Sequence, residues 1–306
     1  MTSVAAHERL VGGAVAPHPP GRAGFVGTVR SEFTKLWSVR STYWTLLALL
    51  IVCVGIGALF CWGQTARLAS ISSGTTLRGG PIPAGAVHSI LIQREDQTRS
   101  MATTISLFGL LFGQLIIVVL GSLVITSEYS TGMIRTSLTS MPRRGTIFAA
   151  KAFVFGVVAL VTGLVTSFLA FFVGQAILSS WHVNDTLGQT DVLRSVIGGG
   201  LFLCVCGLLS FGIGAMLRHS AGAISASIGL LFVVFILSNF LPGPPSGWFG
   251  QTDIDKWIPF FAGSRLWENA LGGVHLFSPW TSFGVFCAYA AAAMIGGLVL
   301  FLRRDA

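Results

Sequence analysis

Ser127-Glu128-Tyr129-Ser130-Thr131-Gly132-Met133-Ile134-Arg135-Thr136-Ser137-Leu138, closed by Pro142-Arg143-Arg144, separates two long apolar runs, residues 102–126 and 147–178. Each run reaches the roughly 20 residues a helix needs to cross a bilayer, so the quoted stretch is held at a membrane face. Gly132 allows the backbone to bend. Met133, Ile134, Ser137 and Leu138 then share one helical face while Arg135 points elsewhere. Pro142 lacks the amide hydrogen a helix needs and stops it. The spacing predicts a short amphipathic helix between two spans.

The rest of the 306-residue chain agrees with a membrane reading. It is 53% hydrophobic and 10% charged, with mean hydropathy +0.77. Soluble domains carry about 25% charged residues, so this chain cannot cover a water-facing surface. Outward from the quoted stretch, the apolar runs are residues 43–63, 102–126, 147–178, 195–217, 222–241 and 280–302. The expected fold is an all-α polytopic membrane protein with six transmembrane helices, residues 43–304. Long outer loops are expected at 64–100 and 242–279. The ten-residue alternation of a transmembrane barrel is not visible.

Residues 1–23, with Pro17, Pro19 and Pro20, read as a disordered tail without the apolar core of a signal peptide. Across 24–42, Phe25, Val29, Phe33, Leu36 and Trp37 recur at helical spacing among Arg30, Lys35 and Arg40. That pattern describes an amphipathic helix in the headgroup layer; the alternative is a solvated lead-in to the first span.

Charge sets the orientation. With both termini cytoplasmic, twelve of the 19 basic residues face inward against four acids, leaving seven of each outside. This is the positive-inside bias. Anionic lipid headgroups suffice as partners for the basic excess, and no nucleic acid is needed.

No Asp, Glu or His lies in an apolar core, and Lys151 sits at the start of a span, where its stem can snorkel to the surface. Proton- and ion-coupled carriers use intramembrane ionisable groups, and hydrolases need acid–base pairs or metal ligands. The chain is not expected to be an enzyme or to bind a metal or cofactor. The five cysteines lie inside apolar runs and read as packing residues. Gly109 and Gly113 form a small-xxx-small pair suited to close helix packing. There is no phosphate-binding G-x-x-x-x-G-K-[ST] stretch, so energy for uphill transport must come from another polypeptide.

Four motifs carry a resemblance. Residues 126–138, running on to Pro142-Arg143-Arg144 and Ala150-Lys151, resemble the E-Y-x-x-G-x-I-R-x-x-L…P-x-R segment of the membrane subunits of bacterial ABC exporters of the type-2 permease class, particularly actinobacterial ones. Glu32-Phe33-Thr34-Lys35-Leu36 with Arg40-Ser41 is similar to that family's amphipathic connecting helix. Arg218-His219-Ser220-Ala221-Gly222 resembles its R-x-x-A-G, and Pro259-Phe260-Phe261-Ala262-Gly263 its P-x-x-A-G.

The resemblance implies a permease in the bacterial plasma membrane. It also implies two copies of a cytoplasmic ABC ATPase that holds the ATP and Mg, and a second permease subunit, which makes a homodimer in preference to a heterodimer with a sister permease. It places a cytoplasmic coupling helix between spans two and three, with Glu128, Tyr129, Thr131, Gly132, Ile134, Arg135, Leu138, Arg143 and Arg144 as ATPase-coupling residues. Arg143 and Arg144 have plain lipid anchoring as their other reading. Glu128 is expected to draw in Arg135 or Arg143, or to sit near helix amides. The pathway would run between the second and fifth spans, with Gln114 and Phe232 as candidates for lining it. The cargo class is an amphipathic or hydrophobic molecule such as a drug, antibiotic, lipid or peptide, as in multidrug efflux. The competing class is an ATP-independent channel or assembly subunit. Residues 242–279 are too apolar for a solvated loop and are expected to hold an interfacial or re-entrant helical piece.

Overall fold

The computed structural model describes residues 24–75, 80–131, 144–238, 255–268 and 277–303. The tail 1–23 and the stretch containing Gly132, Ile134, Arg135, Leu138 and Arg143, with the coupling helix expected there, lie outside the described residues.

Among the described residues every named element is helical. The helix α1 (Phe25–Ser38) bends at Val39 into α2 (Arg40–Ser72). Then come α3 (Ala84–Ser100), α4 (Ala102–Leu107), α5 (Leu110–Ser130), α6 (Arg144–Leu178) and α7 (Thr190–Leu217). The fifth span is α8 (Ser220–Ile228), a π-helical turn at Gly229–Val233, and α9 (Val234–Ser238). A six-residue helix α10 (Pro259–Ser264) precedes α11 (Pro279–Arg303). Among the described residues, six helical stretches are long and apolar enough to cross a membrane.

The centre is α7, which packs against α5, α6 and α11. In its apolar stretch 78% of residues are buried, against 17% in the fifth span, so the fifth span presents an open face. Small residues allow the close approaches. A Cβ at Gly109 would run into the carbonyl of Cys53, and one at Gly113 into the Cys53 sulfur. The glycine pair therefore seats the second span on the first. Likewise, a Cβ at Gly212 would meet the backbone of Ala293 and Met294 in α11, 2.6 Å from the Ala293 carbonyl carbon.

The segment after the first span is not a loop. α2 runs 33 residues, about 50 Å at 1.5 Å per residue, well beyond a hydrocarbon core of about 30 Å. Residues 64–72 contain no Gly or Pro to stop it. The turn comes at Gly74, at φ +75°, where only glycine is unstrained. α3 then returns along α2, and Leu68 joins Cys61, Ala102, Ile105, Leu178 and Val183 in a second small core. The expected loop at 64–100 is thus a helical hairpin.

α1 turns its polar side inward. Thr28 and Glu32 are buried, whereas Phe25, Val26, Phe33 and Trp37 are exposed. An apolar face directed away from the protein needs lipid to cover it. α10 is short and every one of its residues is buried; Phe260 and Phe261 pack on Phe235 of α9 at 4.2 and 5.5 Å between ring centroids.

Candidate functional site

The end of α5 and the start of α6 lie on the α1 side of the bundle, and four charged side chains meet there. Lys151 is buried. Its Nζ donates to Glu32 Oε2 at 2.5 Å and to Glu128 Oε1 at 2.8 Å. Lys35, one turn beyond Glu32, donates to Glu32 Oε1 at 2.7 Å and lies 3.5 Å from Glu128 Oε1. Two cations and two carboxylates cancel, which is the condition under which charges tolerate a dry environment.

Helical geometry explains the meeting. Glu32 projects from the inward side of α1 with Thr28, one turn earlier. Glu128 falls on the buried side of α5 with Ile125. Lys151 falls on the buried side of α6 with Ile147 and Phe148. Burial by itself opposes ionisation of Glu32 most strongly, but Lys151 and then Lys35 outweigh it and hold the carboxyl below its ordinary 4.5. Burial likewise opposes the charge on Lys35, and Glu32 and Glu128 outweigh it, so its ammonium titrates above 10.5.

This corrects one expectation. Lys151 does not snorkel to the surface; it is the hub of a buried knot. Glu128 is engaged by Lys151 and Lys35, because α1 folds back beneath the spans and delivers its own charges; Arg135 and Arg143, expected beside it, lie outside the described residues. Glu32, Lys35 and Lys151 are not among the residues expected in the coupling set. The available signal was a lone lysine in an uncharged run and an acid three residues before Lys35 on an amphipathic helix.

A second set of contacts adjoins the knot. Arg218 caps α7 in the left-handed conformation, φ 56°. Its guanidinium lies 4.9 Å from the centroid of the Tyr129 ring, and its Nη2 donates to the Leu300 carbonyl of α11 at 3.4 Å. His219 Nδ1 accepts from the Gly222 amide at 3.2 Å and caps α8. Ser220 Oγ donates to Thr126 Oγ1 at 3.0 Å. The Glu128-Tyr129 and Arg218-His219-Ser220 motifs, far apart in sequence, are therefore neighbours. Thr131 is exposed and donates to the Ser127 carbonyl at 2.8 Å, closing α5. Arg144 opens α6 and is half-buried.

The two pathway candidates differ. Gln114 is fully buried within the chain, and neither its Oε1 nor its Nε2 has a hydrogen-bond partner among the described residues. Phe232 is half-buried in the π turn, 6.4 Å from Phe235.

On the opposite side of the bundle a cavity of about 630 Å³ is lined by Arg99, Arg194, Arg265, Asp185, Asp191 and Glu268. Asp185 is fixed by Thr103, whose hydroxyl donates at 2.7 Å. Burial pushes the Glu268 carboxyl up to about 7, against the pull of Ser264 and Arg265.

These arrangements position charges and join helices; nothing in them forms a nucleophile–base pair. No curated protein matches the chain. A family described as "ABC-2 family transporter protein" matches residues 38–306. A bundle of six spans, matched over nearly its whole length, therefore belongs to the ABC-2 family of transporter permeases, membrane transport components whose family implies an ATPase partner subunit.

Proposed function

We propose that this chain is the permease subunit of an exporter that moves an amphipathic or hydrophobic molecule, such as a drug, antibiotic, lipid or peptide, out of the cytoplasm or inner leaflet. Two copies of a separate ATPase drive a homodimer of this chain in a bacterial plasma membrane, with ATP and Mg on the ATPase. Both termini and the knot face the cytoplasm. Residues 128–144, including Glu128, Tyr129, Thr131, Gly132, Ile134, Arg135, Leu138, Arg143 and Arg144, receive the ATPase movement. The fifth span faces the second copy, and Phe232 lines the pathway between them.

The observation that carries this reading is the double contact of Lys151. By holding Glu32 and Glu128 together, it ties α1 to the end of α5 and the start of α6. A push on the stretch after Glu128 then reaches α1, α5 and α6 together. The arginines of that stretch suit carboxylates on a partner surface, and its Met/Ile/Leu face suits a groove.

The test is co-purification with a cytoplasmic ABC ATPase co-expressed with this chain. Arg135→Glu and Gly132→Trp are expected to lose the ATPase while keeping the wild-type melting temperature. Retention of a full complex with normal ATP turnover would sink the assignment.

A further inference from the structure

The hairpin of α2 and α3 encloses a cavity of about 320 Å³, inside the roughly 300–1,000 Å³ range of small-molecule sites. Every described residue on its wall belongs to α2, to α3 or to the turn between them. The apolar run of the first span ends at residue 63, and the α2 wall of the cavity starts at Gln64 and reaches Ile71. The cavity thus begins where the run stops. It extends about 10 Å further along the helix axis, away from α1, at 1.5 Å per residue.

The two helices order this wall alike. On α2, Gln64 and Arg67 come before Leu68 and Ile71; α3 runs back, and on it Ile90 comes before Arg94 and Thr98. The polar groups of both helices therefore gather at the end nearest the bundle. Ile71, Ile82 and Ile90 stand at the far end, which the turn closes as the Ile82 amide donates to the Gly74 carbonyl at 2.8 Å. A bilayer lipid has the reverse order, with its chains toward the hydrocarbon and its head away from it. Lipid of the surrounding leaflet does not fit this wall.

Charge decides what the polar end takes. Arg67 and Arg94 are both exposed. Among the described residues no acid lines the cavity, and Glu95 and Asp96, next on α3, lie off its wall. Arg94 donates from Nη1 to Gln97 Oε1 at 3.2 Å, a neutral partner on its own helix. The Arg67 guanidinium has neither a hydrogen bond nor an ion pair among the described residues. Both groups keep most of their N–H donors and an uncancelled charge, and arginine pairs its N–H groups with the two oxygens of a carboxylate. We propose that the hairpin cavity binds a medium-chain carboxylate amphiphile. Its head sits between Arg67 and Arg94, and its chain runs along Leu68 and the three isoleucines. Neither the knot nor the open face of the fifth span contributes a residue, so the site is separate from both.

Photolabelling of the full-length chain in lipid nanodiscs with a decanoate that carries a diazirine on its chain, mapped by peptide mass spectrometry, tests this. Label is expected to concentrate in residues 64–98, to saturate, and to be displaced by decanoate and not by decanol. Arg67→Gln combined with Arg94→Gln is expected to lower labelling at least tenfold with an unchanged melting transition, because both side chains are exposed. Ile90→Trp fills the apolar end and serves the same purpose should the double variant fail to fold. Lys256→Gln removes a cation outside the hairpin and is expected to keep the label. Label that does not saturate, or that decanol displaces equally well, overturns the proposal. So does equal labelling of a folded double or cavity-filling variant, or an equal loss in Lys256→Gln.

Discussion

At the residue scale, Lys151 shows how a buried charge is tolerated and what its removal does. Each of its two partners is an acid held out of water, so Lys151→Met leaves two carboxylates with Lys35 as their cation among the described residues. Breaking a buried ion pair by deleting one partner costs about 3–5 kcal/mol. Thermal unfolding in detergent is expected to show a loss of that order; an unchanged midpoint would mean the lysine is solvated. The pH dependence follows from direction. The Glu32 carboxyl is held below 4.5, so its contribution is complete above about 4.5 and is lost as pH falls through the folded value. Lys35 titrates above 10.5, so its contribution is complete below about 10.5 and is lost as pH rises beyond it.

Glu268 runs the other way. Its carboxyl is raised to about 7, so the folded state holds the proton more tightly, and stability falls as pH rises from 4.5 to 7. Glu268→Gln is expected to melt higher than wild type at pH 8 and to flatten that slope. Identical pH profiles would contradict the burial of this carboxyl. Gln114 makes a third test. An unpartnered buried amide carries an unrecovered desolvation cost of about 1–3 kcal/mol, so Gln114→Leu is expected to keep or raise the melting temperature. A clear drop in stability would show that the amide has a partner in the assembled protein.

At the element scale, helix contacts are set by where side chains are missing. Gly109 lies against the Cys53 backbone, whereas Gly55 has nothing within 4 Å of the position a Cβ would take. Gly109→Leu is expected to separate the first two spans and lower yield and melting temperature, while Gly55→Ala leaves both unchanged. Equal tolerance would contradict the packing of α4 and α5 on α2. The glycine pair was readable from its spacing, but its partner was not, because a small-xxx-small stripe carries no address. The hairpin of α2 and α3 was missed for a related reason. Polar residues after an apolar run suggest a loop, yet residues 64–72 contain no breaker, and Leu68 among them packs with α4 and the end of α6. The inward polar side of α1 follows from the same spacing that put Phe25, Phe33 and Trp37 on one face.

At the scale of the whole molecule, apolar run lengths and the scarcity of charge were enough to read six spans and an all-helical fold. Both are local properties of sequence. The knot was not legible, because it joins Glu32 and Lys151 across 119 residues, and nothing near either residue announces the other. The central claim is that movement from a separate ATPase enters through the segment after Glu128 and is shared among spans by this knot. Permease-dependent ATP turnover in lipid vesicles, with the ATPase bound to wild type, Lys151→Met or Glu32→Gln, tests it most directly. The account predicts that both variants keep the ATPase bound but lose at least tenfold of the permease-dependent turnover. Wild-type turnover in a folded variant of either kind would contradict it.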